Sequence, residues 1–452
     1  MASRAVRRIV AVLIILTISK CLYMRLQHSK KAGIQQFGEA KDKGFLLTEE
    51  EAPKSTLDDD EELTTIEKAE LVTKNAVQLT TEDIDEGTSD GNETWLIQHT
   101  PTKRSVGPDS ETLMPLLQKK DFRKLPQWDF EDVYSRSDQP RQMTCSLSLR
   151  MSEDANFTKN FIPNINLFMY NRSVTVREWN RLSHFNNPFG FMGYDYREVV
   201  AALRHIPKPQ EPMLVARGDG VGCVSCAVVG TAGILSGSGM GKEIDGHDYV
   251  FRMNGAITKG YEEDVGNKTS VYLHTAYSLT SALSYYKKHG LPRFARDEGI
   301  KYVMIPSGYR DFQWLQALFT GKLVSAGPFK HLRPTQYYTE KLDNKHFYLL
   351  HPDFLRYLRN RFLRSPGLNY EFWAVVKPTN GAVALFLALH TCDVVNAYGF
   401  ITEDYQKYPY TYYKGTVRKM IFYFTHDFIT EMNAWKNLHN AGIINLYQRR
   451  EP

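Results

Sequence analysis

Cysteine is scarce: five residues in a chain of 452 are too few for a small scaffold in which disulfides replace a hydrophobic core. The spacing Cys223-Val224-Ser225-Cys226 stands alone, without a second Cys-x-x-Cys or a histidine pair at metal-ligand spacing. It therefore reads as two half-cystines with separate partners rather than a zinc or redox pair. Charge of one sign is lacking too. Lys and Arg total 56 against 51 Asp and Glu, a net +5, with no long basic run, so the electrostatic footprint of a nucleic-acid binder is absent. The densest acidic cluster, Asp58-Asp59-Asp60-Glu61-Glu62, falls in a polar stretch and reads as a solvated charge run rather than a metal site. Beyond that stretch no Asp-x-Asp triplet stands at a strand end, and no metal ligand set is assigned.

Long apolar runs are missing except at the start. Ile9 to Met24 is apolar apart from Lys20, follows Arg4, Arg7 and Arg8, and lacks a small-x-small cleavage site. It reads as an uncleaved signal anchor, with the lysine near its end reaching the interface. The expected organisation is a cytoplasmic tail over 1–8, the anchor over 9–24, a disordered lumenal stem over 25–124 and a single folded domain over 125–452. Arg25, Lys30 and Lys31 blunt the charge bias that would orient the anchor. The glycosylation acceptors Asn92, Asn156, Asn171 and Asn267 all lie beyond it, as they should if the C-terminal side is lumenal.

Aromatic and aliphatic residues recur from Trp128 onward. Short apolar runs at Ala227–Val229, Tyr249–Met253, Tyr302–Ile305, Phe347–Leu350, Val394–Ala397 and Ile443–Leu446 predict buried strands. Amphipathic or longer stretches at Asp311–Phe319, Pro352–Leu363 and Ala382–His390 predict helices, with Pro352 suited to a first helical turn. Such alternation predicts an α/β domain of the Rossmann-like, doubly wound type, with a mostly parallel sheet.

The first of these strands runs into Gly230-Thr231-Ala232-Gly233, a turn whose glycines let backbone amides approach a phosphate. From Cys226 through Asp248-Tyr249-Val250-Phe251-Arg252-Met253-Asn254, the segment resembles the large sialyl motif of animal sialyltransferases. The other signatures follow in order. Pro378-Thr379-Asn380-Gly381 with Cys392-Asp393-Val394-Val395 and Tyr398-Gly399-Phe400 is similar to the small motif, Tyr412-Tyr413 to the third, and His426 with Glu431 to the very small motif. Phe161-Ile162-Pro163-Asn164, Glu178-Trp179-Asn180-Arg181-Leu182, Pro188-Phe189-Gly190-Phe191-Met192 and Leu349-Leu350-His351-Pro352-Asp353 are similar to the subgroup of GalNAc alpha-2,6-sialyltransferases acting on mucin-type O-glycans.

That resemblance implies a sialyltransferase variant of the GT-A fold on a single-pass type II Golgi membrane protein with a lumenal catalytic domain. It implies CMP-sialic acid as donor, O-glycosylated glycoproteins as acceptors, and neither cofactor nor metal; a homo-oligomer is compatible with it. It also implies a Cys226–Cys392 bridge, with Cys145 and Cys223 making the second. Donor contacts fall to Thr231, Asn254, Thr379, Asn380, Gly381, Gly399, Thr411, Tyr412, Tyr413 and Lys414, and catalysis to His426 as base with Glu431 as an orienting or helix-packing partner. His351, His390 and His439 lack that motif context and are expected to be structural. An acceptor hydroxyl needs such a base, and a histidine titrates near neutrality. The sequence departs from the family at Thr231, Asn380, Thr411 and Lys414. A catalytically impaired Golgi relative that binds glycoprotein or partner enzymes, or a sialyltransferase of other acceptor or linkage, is the competing expectation.

Overall fold

The computed structural model describes residues 112–122, 130–138, 145–216, 222–286, 295–339, 342–413 and 425–449. The expected tail, anchor and nearly all of the stem lie outside them, as do Asn92 and Lys414. Among the described residues no helix is long and apolar enough to cross a membrane.

Among the described residues eight strands form one sheet: β1 (Phe168–Met169), β2 (Ser225–Val229), β3 (Tyr249–Met253), β4 (Val271–His274), β5 (Lys301–Met304), β6 (Phe347–Leu350), β7 (Val394–Tyr398) and β8 (Asn445–Leu446). Their order is β1-β6-β5-β4-β3-β2-β7-β8. Every neighbouring pair is parallel except β1 with β6. Central parallel strands are covered on both faces and need continuous apolar sequence. Cys226-Ala227-Val228-Val229 supplies it, each residue fully buried.

The helices that frame the site are α1 (Ala276–Tyr286), α2 (Tyr309–Thr320), α3 (Pro352–Arg361), α4 (Asn380–Thr391) and α5 (Phe428–Asn440). Ala382 through Thr391 of α4 are all buried, so this helix is apolar nearly all round, as a helix inside the core must be. It starts two residues earlier than its apolar run predicts, because Thr379 Oγ1 accepts from the Ala382 amide at 3.0 Å and caps it. The predicted strands and helices all form, with ends shifted by a few residues. β1, β4, α1 and α5 were not anticipated.

From β2 the chain winds outward through β3, β4, β5 and β6, then returns to lay β7 on the other side of β2. In an open α/β sheet, ligands bind outside the carboxyl ends of the strands at this reversal. The bridges Cys145–Cys223 and Cys226–Cys392 both form, and they brace the opposite edge, where β2 and β7 begin. There Asp393 accepts from Ser148 Oγ and the Val224 amide, each at 2.9 Å.

Candidate active site

The motif residues gather at the carboxyl edge. β2 runs into Gly230-Thr231 and β7 into Gly399, and the two glycines face each other with no room for a side chain. A Cβ on Gly230 would lie 2.4 Å from the Gly399 carbonyl oxygen, and Gly399 itself has φ +68. The Gly230 amide donates to Tyr398 O at 2.8 Å and the Ala232 amide to Gly399 O at 3.0 Å, which locks the two turns together. The third-motif residues pack on this junction. The Tyr412 amide donates to Thr231 O at 3.2 Å, its hydroxyl to Ile257 O at 2.6 Å, and Tyr261 donates to Tyr413 O at 3.0 Å. Thr411 is buried at 2% exposure, and its hydroxyl has no partner among the described residues. Beside them a shallow cleft is lined by Ala232, Phe400, Thr402, Tyr408 and Pro409.

At the end of β3, Asn254 adopts φ 54, the left-handed region that asparagine tolerates better than most residues. Its Oδ1 accepts from Asn380 Nδ2 at 2.7 Å, joining the large motif to the first turn of α4. A Cβ on Gly381 would meet nothing closer than Thr379 Oγ1 at 3.5 Å, so this glycine leaves open space at the helix start instead of relieving a clash.

Glu431, in the first turn of α5, is 2% exposed and grips Thr379. The Thr379 amide donates to one carboxyl oxygen and the Thr379 hydroxyl to the other, both at 2.7 Å. Burial pushes the Glu431 carboxyl up to about 7 against these two bonds. Both Glu431 oxygens are thus engaged by Thr379 of the small motif, and among the described residues no hydrogen bond joins Glu431 to the His426 ring.

The ring is oriented by a residue that sequence reasoning missed. His426 Nδ1 lies 2.8 Å from the carbonyl oxygen of Lys377. A carbonyl only accepts, so Nδ1 carries the proton and Nε2 presents its lone pair. Nε2 has no partner among the described residues. Burial pushes the ring down to about 4, and the Lys377 amine adds to the shift, so the imidazole is neutral at physiological pH. The Lys377 amide donates to Thr425 O at 3.0 Å, pinning this strap to the segment before α5. No sequence signal marks Lys377 for this contact, because it is made by a backbone carbonyl.

His351, His390 and His439 each have a local hydrogen-bond partner away from His426. His390 Nδ1 donates to Phe386 O at 2.8 Å within α4, and His439 Nδ1 accepts from the Leu446 amide at 3.2 Å. His351 caps α3, accepting from the Asp353 amide at 3.1 Å. Glu178, His351 and Asp353 stand close enough together to suggest a metal site. Arginines already fill it: Arg181 reaches Glu178 at 2.5 Å and Asp353 at 2.6 Å, and Arg356 reaches Asp353 at 2.7 Å. Asn156, Asn171 and Asn267 are exposed.

Residues 168–443 match the family Glycosyltransferase family 29 (sialyltransferase). The chain belongs to glycosyltransferase family 29. Human alpha-N-acetylgalactosaminide alpha-2,6-sialyltransferase 1 is 44% identical over 344 residues, covering 74% of this chain and 57% of that protein. The Gallus gallus enzyme of the same name is 43% identical over 340 residues, 74% and 60% respectively, so the chain spans less than two thirds of both relatives. Mouse alpha-N-acetylgalactosaminide alpha-2,6-sialyltransferase 2 is 40% identical over 328 residues, 72% of this chain and 88% of that one. A crystal structure of a mammalian sialyltransferase aligns at TM-score 0.49 with 24% identity, over 69% of this chain and all of that one. Within family 29, the fold seen here is an eight-stranded, mostly parallel sheet with its motif residues at one edge.

Proposed function

We propose that this chain transfers sialic acid from CMP-sialic acid to the C6 hydroxyl of N-acetylgalactosamine in Ser/Thr-linked glycans. The neutral His426, held by the Lys377 carbonyl with Nε2 free, carries this reading. Nε2 takes the proton of the acceptor hydroxyl as its oxygen bonds to the anomeric carbon. On the opposite face the bond to phosphate breaks, and its electron pair leaves on CMP. A single displacement inverts the anomeric centre, and the proton passes from His426 to water. CMP is a stable enough anion to depart without a metal, so no metal is assigned a role.

Thr231, Asn254, Thr379, Asn380, Gly381, Gly399, Thr411, Tyr412 and Tyr413 hold the donor in this reading. They meet at the strand reversal and the start of α4, where backbone amides and a helix terminus favour phosphate. Lys414 adds positive charge near the phosphate, and Lys414→Ala should weaken donor binding; unchanged donor affinity would remove it from the set. The 40–44% identity to the alpha-2,6-sialyltransferases supports both acceptor and linkage. A 9–24 anchor, a stem to 124, a catalytic domain from 125 and a Golgi membrane location with glycosylated Asn92, Asn156, Asn171 and Asn267 complete the proposal.

The test is transfer from CMP-sialic acid to a GalNAc-bearing glycopeptide by the full-length chain in membranes, without added metal, beside His426→Ala. Loss of a positioned base costs about 10²–10⁴-fold, so transfer that vanishes in the variant supports the reading. The unpartnered Thr411 hydroxyl favours a second reading, a fold-keeping relative with impaired catalysis. A folded chain that transfers to no O-glycan acceptor would establish that one instead.

A further inference from the structure

Two of the segments that carry the subgroup resemblance, Glu178-Trp179-Asn180-Arg181-Leu182 and the one opening at Pro188, have no task in the transfer chemistry, and both lead to the same neighbour. Asn180, in the short helix Val176–Leu182, is 6% exposed. Its side-chain amide is spent on a passing stretch of backbone: Nδ2 donates to Thr112 O at 2.9 Å, and Oδ1 accepts from the Met114 amide at 2.8 Å. A buried amide that matches both a carbonyl and an N–H is a clamp, because removing the passing chain would leave both of its own groups desolvated and unpaired. Asn187, just before Pro188, accepts from Lys119 Nζ at 3.1 Å. Residues 112–122, which precede the boundary at 125 read from composition, are therefore held to the domain at two points.

A further contact of Lys119 leads to the site. Nζ also donates to Ala374 O at 3.4 Å, and Asn186 Nδ2 donates to the same oxygen at 3.4 Å. Three residues on, the Lys377 carbonyl accepts from His426 Nδ1. The peptide plane that carries this carbonyl has no N–H to pin it, because residue 378 is proline. It must be held from its flanks. Downstream, Glu431 grips Thr379. Upstream, the Lys377 amide bonds Thr425 O, Lys377 Nζ bonds Ser307 Oγ at 2.5 Å, and Lys119 with Asn186 holds Ala374. Burial first, then Arg310, pushes the Lys377 amine down to about 8, and Lys119 adds to that shift, so its charge is felt at the strap. We propose that residues 112–122 belong to the catalytic unit and that Lys119 is a positioning residue, which sets the 374–377 strap and through it the tautomer and aim of His426. The working enzyme then begins by residue 112, and Asn180 and Asn187 serve to hold its leading segment in place.

This inference rests on the proposed transferase reading. Full-length enzyme in detergent is compared with Lys119→Met and Lys119→Arg. Methionine keeps much of the apolar stem but donates nothing. It should lower kcat on the GalNAc-bearing glycopeptide about tenfold, part of the 10²–10⁴ that a positioned base supplies. KM for CMP-sialic acid should stay within about twofold, and arginine should recover most of kcat. Hydrogen exchange reads the strap without turnover: the Lys377 amide, bonded to Thr425 O, should exchange about tenfold faster in the methionine variant, with the central strands unchanged. An unchanged kcat, or unchanged exchange at Lys377, overturns the proposal. So does a donor KM that rises in step with the fall in kcat, or a melting loss that accounts for all of the lost activity. If the wild-type chain transfers to no acceptor, the transferase reading fails by itself, and exchange alone decides: faster exchange at Lys377 in Lys119→Met supports the positioning contact, and unchanged exchange overturns it.

Discussion

His426 and Glu431 come from one short motif, yet burial drives them in opposite directions. The histidine is held neutral down to about pH 4, whereas an ordinary one protonates near 6.5. Its protonation removes the base, so activity should fall only as pH drops through about 4, leaving the rate flat where an ordinary histidine would already have lost it. A kcat/KM profile for the acceptor with an acid limb near 6.5 would contradict the buried, carbonyl-held ring. Glu431 has its carboxyl raised from 4.5 to about 7. Between those values the folded chain keeps a proton that the unfolded chain releases. The stability this contributes is complete below pH 4.5 and is lost as pH rises through 7. Glu431→Gln removes the titration but turns an amide N–H toward one of the Thr379 donors. Losing one of those two bonds costs about 1–3 kcal/mol. The variant should melt lower, with a flatter dependence of Tm on pH, and should raise the KM for CMP-sialic acid through the displaced Thr379-Asn380 turn. A variant whose Tm tracks pH as the wild type does would place the titration elsewhere.

Among elements, the β2 and β7 turns matter most because each limits the other. Gly399→Ala would put a Cβ 2.6 Å from Leu235 Cδ1 and 2.8 Å from the Gly230 carbonyl oxygen, at a backbone φ of +68. The left-handed conformation alone costs a residue with a side chain roughly 1–2 kcal/mol. Lower thermal stability together with a higher KM for CMP-sialic acid is expected. A melting loss with unchanged donor KM would place the donor away from this junction. The glycines were legible as turn formers, and so were the central strands, because a doubly covered strand must be apolar throughout. β1, two residues long, leaves no periodic trace. β4 reads Val-Tyr-Leu-His, and its terminal histidine hid a strand whose every residue is buried. Lys377 escaped for another reason. It works through its backbone carbonyl, which every residue carries, so only the fold reveals which one faces His426.

Across the whole molecule, covalent bracing and the candidate chemistry occupy opposite edges of one sheet. Cys226–Cys392 closes a separation of 166 residues and joins two neighbouring parallel strands near their starts. Asn254, Gly399 and the α4 start lie at the far ends of the strands. A cross-link over so long a loop acts mainly on the unfolded chain, by restricting it, and removing a native one typically costs about 2–5 kcal/mol. Both half-cystines are fully buried, so alanines leave small apolar gaps but no unpaired charge. The double variant Cys226→Ala/Cys392→Ala should therefore lose stability as a whole while the folded fraction keeps its geometry at the reversal between β2 and β7. Melting curves and donor kinetics taken well below the transition separate the two effects. A large fall in Tm with KM for CMP-sialic acid within about twofold of wild type would show the bridge acting on the chain as a whole. A KM that rises in step with the loss of stability would mean that strain at the starting edge reaches the donor edge through β2 and β7, and that the two ends of the sheet are not mechanically separate.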